Sequence, residues 1–433
     1  MISSMIATKK FKVFYFFSLA LIFAFTIVTV IPSYFYYFFL VSSVFFGYLF
    51  LSLRGEKVDR KLVLFLFFFL APSALGLVGY IPGFVFESDV FDYERLNPFG
   101  RLLNLIVLAL FILTLHVCRK KSQVLDAFAW YKLGVFILLT TGLWQVVSVY
   151  TEIIPFPFET RSHLHSVGEA KLGFDTRITG IAQEPSYFTM FSIDFFALSL
   201  LLNVGIKRVF YIFFALFLLI MSLSPSGYIV FALAFAGACL FTFLKFTRAN
   251  SVVTSNHLLV VLAFVVGLAA VGFALLEYGF IDYIFVRIFD PSVFESPRVY
   301  MSYMPFVWMW DSNFFSFLFG HGMKSYSIIG TAFSVPSGEP VHATSNNIYV
   351  DVFWESGAVG LALLLAFFSY VLFMILKSGY SKYQVFIALF VLFDLMFSGF
   401  FRADFASLRY FILIYLSFIL TRYNVFPEEG ARV

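Results

Sequence analysis

Charge is scarce in this chain: Asp, Glu, Lys and Arg make up 12% of its 433 residues, about half the share of a soluble protein. Cysteine is scarcer still, with Cys118 and Cys239 the only two. Both fall near helix ends on one expected side, which argues against a disulfide or a cysteine-ligated metal site and constrains the redox compartment little. No Walker-type phosphate loop and no dinucleotide fingerprint is present, so no nucleotide chemistry is expected. What fills the chain instead is hydrocarbon: 61% of residues are hydrophobic and the mean hydropathy is +0.93. Apolar runs of about 20 residues recur throughout, the length that crosses a bilayer as a helix. The fold class expected is an all-α polytopic membrane protein.

The few charges are not scattered. Basic residues collect in short connections: Lys9, Lys10 and Lys12; Arg54, Lys57, Arg60 and Lys61; Arg119, Lys120 and Lys121; Lys207 and Arg208; Lys245 and Arg248; Lys377 and Lys382. The alternate connections are mostly acidic, as at Glu87, Asp89, Asp92 and Glu94. The positive-inside rule places the basic connections in the cytoplasm. Small clusters spaced evenly between spans do not form a nucleic-acid surface. The first apolar run follows Lys9 and Lys10 as in a signal peptide. It is too long for one and lacks a small-residue cleavage site, so it reads as the first span.

Twelve spans follow from these signals: 12–31, 33–53, 62–82, 101–118, 130–150, 181–203, 209–223, 226–244, 257–276, 350–376, 384–401 and 407–421. Both termini then face the cytoplasm, and residues 1–433 form one integral membrane domain. The pairs around Pro32 and Pro225 are candidates for kinked or re-entrant segments. Two outer loops exceed simple connectors, 151–180 and 277–349. The second contains "PRVYMSYMPFVWMW", whose aromatic and aliphatic residues recur at helical spacing and indicate an amphipathic helix at the outer interface. The 65 phenylalanines read as lipid-facing bulk rather than a binding device.

Ionisable groups near hydrocarbon are expensive, so their distribution points to function. The outer loops and adjoining helix ends hold Arg161, His163, His165, Arg177, Glu184, Arg287, Arg298, His321, Lys324, His342, Asp351, Glu355, Arg402 and Asp404. The densest stretch is "HATSNNIYVDVFWESGAVG", from His342 to Gly360. A helix from Asn347 to about Leu376 is roughly 45 Å long, against about 30 Å of hydrocarbon. Its first turns therefore stand above the membrane or line a wet cavity. Asn347, Asp351 and Glu355 are spaced by four and share one face. Gly357 and Gly360 leave room for a close helix crossing. The same residues admit plainer readings: Asn346 or Asn347 as a helix cap, and Glu355 as the partner of an outer arginine.

These motifs resemble the O-antigen polymerase and ligase superfamily. The likeness rests on the Asn-Asn pair, the aromatic and Glu-x-Gly-x-x-Gly-Leu in 342–361. It extends to "TRITGIAQEPSYF" (Thr176 to Phe188), to "LSPSGYIVFALAF", and to "FGHG" within a long outer loop. The ligase branch usually has histidine directly before the asparagine; here Asn346 holds that slot and His342 lies four residues upstream. That departure tilts the resemblance toward the polymerase branch. It implies transfer of a glycan from undecaprenyl pyrophosphate to a lipid-linked repeat unit at the outer face of the bacterial inner membrane, with no nucleotide sugar, metal or cofactor.

Under that reading, an arginine stabilises charge on the departing pyrophosphate, with Arg177 and Arg298 as candidates and Arg402 a third. A carboxylate or imidazole takes the acceptor proton, from Glu184 or His342, with Glu355 behind them. Asn346, Asn347, Glu355 and Arg402 are candidate substrate-binding residues. The alternatives are a helix-start role for Glu184 and headgroup or acidic-loop pairing for Arg177 and Arg298. Implied partners are lipid-linked glycans and membrane lipids, with a chain-length regulator an open candidate and no nucleic acid. Two other functions fit the same outline: an O-antigen ligase acting on lipid A-core or protein, and a flippase of lipid-linked sugars. The flippase ranks last, because its charges should lie near the midplane and its halves should look alike.

Overall fold

The structure is a computed structural model that describes residues 15–54, 57–80, 98–118, 124–160, 176–249, 297–310, 312–328, 345–402 and 404–426. Among these residues the chain is mostly helical and contains no strand. The helices, in chain order, are α1 (Tyr15–Val28), α2 (Tyr34–Arg54), α3 (Arg60–Leu75), α4 (Pro98–Cys118), α5 (Val124–Thr151), α6 (Pro185–Leu202), α7 (Gly205–Met221) and α8 (Pro225–Ala249). They continue as α9 (Pro297–Trp310), α10 (Phe314–Phe319), α11 (Ile348–Lys377), α12 (Lys382–Ser398) and α13 (Leu408–Arg422). Five of them, α4, α5, α6, α8 and α11, are long and apolar enough to cross a membrane. The expected span 257–276 lies outside the described residues.

Local chemistry explains where the helices begin. α4, α6, α8 and α9 each open on proline, whose missing N–H costs nothing in the first turn. Side-chain caps start others: Asp59 accepts from Lys61 N, Asn347 from Tyr349 N and Val350 N, Ser381 from Gln384 N, and Ser407 from Tyr410 N. α6 and α13 form the centre of the bundle. Every residue from 188 to 201 and from 408 to 421 is buried.

Helix packing sorts the connections into two ends. At one end lie the starts of α4, α6, α8, α11 and α13 and the ends of α1, α3, α5, α7 and α12. Contacts from Arg101 to Glu355, Arg402 to Glu184, and Ile348 N to the Gly399 carbonyl hold them together. At the other end, Lys132 binds Asn203, Tyr383 binds the Leu200 carbonyl, and Lys245 binds Ser378. Lys57, Arg60, Lys61, Lys132, Lys207, Arg208, Lys245, Lys377, Lys382 and Arg422 all belong to this second, basic end. The charge pattern along the chain thus becomes an asymmetry between the two ends of the bundle.

α11 departs from the continuous helix expected. Gly357 sits at φ 67° and ψ −168° inside it, splitting it into Ile348 to Ser356 and a long apolar half. At the break the carbonyls of Trp354 and Glu355 take donors from outside the helix. The backbone of His321 donates to Trp354 O (2.8 Å) and that of Gly322 to Glu355 O (3.0 Å). Met323 N continues the strap to Gly76 O at the end of α3 (2.7 Å). Unsatisfied carbonyls are not tolerated in a low-dielectric interior, so a break needs such substitutes. Gly357 also makes room for α10, since a Cβ there would lie 2.3 Å from Leu318 O. Gly360 plays a different part from the crossing expected: its missing Cβ accommodates the Ser356 side chain of the same helix.

The expected outer helix exists as α9. With α10 and Tyr326 it covers the first half of α11, where Met309, Tyr326, Val350, Phe353 and Trp354 form a small second core. The first turns of α11 are therefore buried in protein and do not stand free above the bundle. Gly357→Ala combines a left-handed backbone, costing about 1–2 kcal/mol for an L-residue, with a backbone clash. It should lower the thermal unfolding midpoint of the purified protein by several degrees. Gly379→Ala, which meets open space, should leave that midpoint unchanged in the same assay.

Candidate functional site

Three arginines gather at the end of the bundle opposite the basic one, each held by acids from another helix. Arg101, in the first turn of α4, contacts Glu355 Oε1 through Nη1 at 2.5 Å and stacks over Phe405 at 4.5 Å. Glu355 also accepts a backbone hydrogen bond from Lys324. The carboxylate thus ties α4, the broken turn of α11 and the strap together. Asp351, one turn earlier, accepts from Ser345 N (3.0 Å) and the Ser345 hydroxyl (2.5 Å). Asn347 spends its carbonyl oxygen capping α11, and Asn346 adopts a left-handed turn at φ 57°.

The second arginine, Arg402, follows α12. Its Nη2 donates to Glu184 Oε2 at 3.0 Å, and its guanidinium lies 3.7 Å over the Tyr187 ring. Glu184 occupies the N-cap position of α6 but makes no side-chain capping bond. It accepts from the Ser186 hydroxyl at 3.2 Å and turns toward Arg402. Arg402 Nε is buried and meets no acceptor among the described residues. It borders a small, shallow cleft between α6 and α8, whose lining includes Ser186, Thr189, Ser226, Gly227 and Ser398 together with Met190, Ile193 and Val230. Guanidinium and hydroxyl donors beside the start of a helix are the groups that hold an anionic oxygen.

The segment ahead of α6 is pinned throughout. Thr179 N and Gly180 N both donate to Gln145 Oε1 at 2.8 Å, Ile178 N donates to Met221 O, and Gln183 N donates to Val28 O. Gly180, at φ 52°, leaves no space for a Cβ beside Thr141 Oγ1. Arg177 is half-buried at the start of this segment. Arg298 lies in the first turn of α9, and His342 lies outside the described residues. The structure brings Glu184 together with Arg402 and gives Glu355 to Arg101.

The third arginine was not among the sequence candidates and is the most deeply placed. Arg409, in the first turn of α13, has a side chain only 4% exposed. Its Nε and Nη2 grip both oxygens of Asp194 in α6 (2.9 and 2.8 Å). Nη2 also reaches Asp394 in α12 (3.1 Å), and Nη1 lies 3.4 Å from Asp404. Tyr131 of α5 donates its hydroxyl to Asp194 at 2.6 Å. Asp194 is the only charge in α6 and Asp394 the only acid in α12, while Arg409 lies twelve apolar or uncharged residues ahead of Arg422, the other base of α13. The rule that an intramembrane charge implies a partner pairs them.

His321 lies in the strap against Trp354, with ring centroids 4.2 Å apart. Burial pushes its imidazole down to about 3 from the usual 6.5, so the ring is neutral at physiological pH. A folded-state value below the unfolded one contributes stability above pH 6.5 that is lost as pH falls toward 3. The thermal advantage of wild type over His321→Gln, measured at pH 7, should narrow steadily between pH 6.5 and 4.

No family model matches this chain, and no curated protein matches it. Removing one partner of a buried ion pair typically costs about 3–5 kcal/mol. Arg409→Met strips the charge from three acids at once and should abolish recovery of monodisperse protein in detergent. Asp404→Asn, at the partly exposed edge of the cluster, should leave most of it recoverable on the same size-exclusion column.

Proposed function

We propose that this chain is a polysaccharide polymerase of the O-antigen type in a bacterial inner membrane. In this reading it crosses the membrane twelve times with both termini and the basic end in the cytoplasm, and the arginine-rich end faces the periplasm. The observation that carries the reading is the Glu184–Arg402 pair beside a small cleft lined by both hydroxyls and apolar side chains. A guanidinium and hydroxyls next to hydrocarbon match in chemistry a pyrophosphate on an isoprenoid chain, the donor that the motif resemblance implies.

The reaction needs charge stabilisation and one proton acceptor. The acceptor hydroxyl attacks the anomeric carbon while the bond to the pyrophosphate oxygen breaks, and the electron pair leaves with the pyrophosphate. Arg402 offers Nε and, on exchanging partners, Nη2 to the departing oxygens. Glu184, released by that exchange, takes the hydroxyl proton. Arg177 and Arg298 supply further positive charge from the flanking segments. Glu355 orients Arg101, and Asn346 and Asn347 shape the turn beside the acceptor.

A second reading has one specific observation in its favour. A spanning helix interrupted at a glycine is found in transporters of polar substrates. A flippase would use the broken turn of α11 as its substrate site.

The two separate in a deletion strain complemented with variants. Arg402→Ala and Glu184→Gln should each reduce long-chain surface polysaccharide by about a hundredfold or more, the scale for losing one charge-stabilising donor, while glycolipid bearing a single repeat unit persists. Undiminished long chains in both variants would sink the polymerase reading. Repeat units trapped on the cytoplasmic face would replace it with the flippase.

A further inference from the structure

The basic end carries a cluster of cations that the proposed chemistry does not use. Lys132 of α5 is 8% exposed and binds the side-chain oxygen of Asn203 at the end of α6. Its ammonium lies 4.2 Å over Tyr211 and 4.9 Å over Phe195. Arg208, in the first turn of α7, donates to the backbone carbonyl of the same Asn203 at 2.7 Å and stacks 4.9 Å over Tyr383. Lys207 beside it is exposed. Two cations thus converge on one neutral residue with a third adjacent. Among the described residues no carboxylate lies within ion-pairing distance of Lys132, Lys207 or Arg208.

Helix stability does not explain this arrangement. Lys207 and Arg208 open α7, and basic side chains are disfavoured at a helix start, where the backbone dipole is already positive. Val204 at the cap position contributes no side-chain bond. The neighbours point outward as hydrocarbon: Val204 is 76% exposed and Ile206 82%. From Ile206 a stripe of exposed apolar residues, Phe210, Phe213 and Phe217, runs along one face of α7, at the spacing of successive helical turns. Cations without counter-charge therefore sit at the head of an exposed apolar track.

From this geometry we infer that the start of α7 is a binding site for an anionic phospholipid of the leaflet at the basic end. The headgroup phosphate sits at Lys207 and Arg208, with the buried Lys132 adding positive charge behind them, and an acyl chain lies along Ile206, Phe210, Phe213 and Phe217. An anionic headgroup supplies the negative charge that the fold leaves out. The inference does not depend on the polymerase reading, since it concerns the opposite end of the bundle.

The full-length protein, reconstituted in nanodiscs of equimolar phosphatidylglycerol and phosphatidylcholine, can be tested by native mass spectrometry of the lipid it retains on release. Each juxtamembrane cation contributes about fivefold to anionic-lipid binding. The double variant Lys207→Gln, Arg208→Gln should therefore lower the phosphatidylglycerol preference of the bound lipid by about thirtyfold. The control Lys57→Gln, Lys61→Gln removes two exposed cations elsewhere at the same end and should leave the preference intact. Equal loss in both double variants, or no loss in either, overturns the site. So does displacement of the retained lipid by inorganic phosphate, which would make the cluster a site for a free anion.

Discussion

The guanidinium of Arg409 is the interaction on which the rest of the bundle depends. It draws α6, α12 and α13 to one point, with α5 joined through the Tyr131 hydroxyl. The fork geometry of arginine matters here, because a lysine could not take both oxygens of Asp194 and still reach Asp394. A buried charge cluster is poor evidence of stability by comparison with a well-packed apolar core. What it supplies is registry. Aliphatic and phenylalanine surfaces can slide past one another in lipid at little cost, whereas a charge cluster is satisfied at one setting only. The central helices of a bundle otherwise made of hydrocarbon are set at one height by it.

That registry reaches the candidate site through α6 and the α12–α13 connection. Asp194 lies on the same helix as Glu184 and Tyr187, and Asp404 lies two residues beyond Arg402. The connection is therefore bolted to α6 at two levels. It is also bolted to α4, where Asn104 donates to Ala406 O at 2.8 Å and Phe405 supports Arg101. Tyr349, bonded to Met396 O and packed on Phe400, adds α11. Arg402 at the cleft and Arg101 on α4 consequently both take their positions from one short connection.

Much of the architecture was legible in the residues because it follows from one-dimensional signals. Apolar runs and alternating loop charge foretell the helices and the separation of a basic end. The acid at Glu355 was readable as the partner of an arginine, and Asn347 as a cap. The arginine that Glu355 takes, Arg101, was not readable, because it opens a span and sits 254 residues away in sequence. Asp194, Asp394 and Arg409 were passed over as isolated charges inside apolar runs, since each makes sense only with the other two. The break at Gly357 was hidden for another reason. Hydrophobic residues continue on both sides of it, and a glycine required by φ looks the same in sequence as a glycine required by packing.

The strap from Gly320 to Met323 changes what the segment after α10 is. Its N–H groups complete the hydrogen-bond ladder of α11, so loop and helix are parts of a single secondary structure written in two places along the chain. Loss of the strap would take away the donors that reach Trp354 O and Glu355 O from outside the helix. For chain engineering the same fact sets a boundary. An exchange of this segment would have to carry 320–323, Gly76 and Gly357 together.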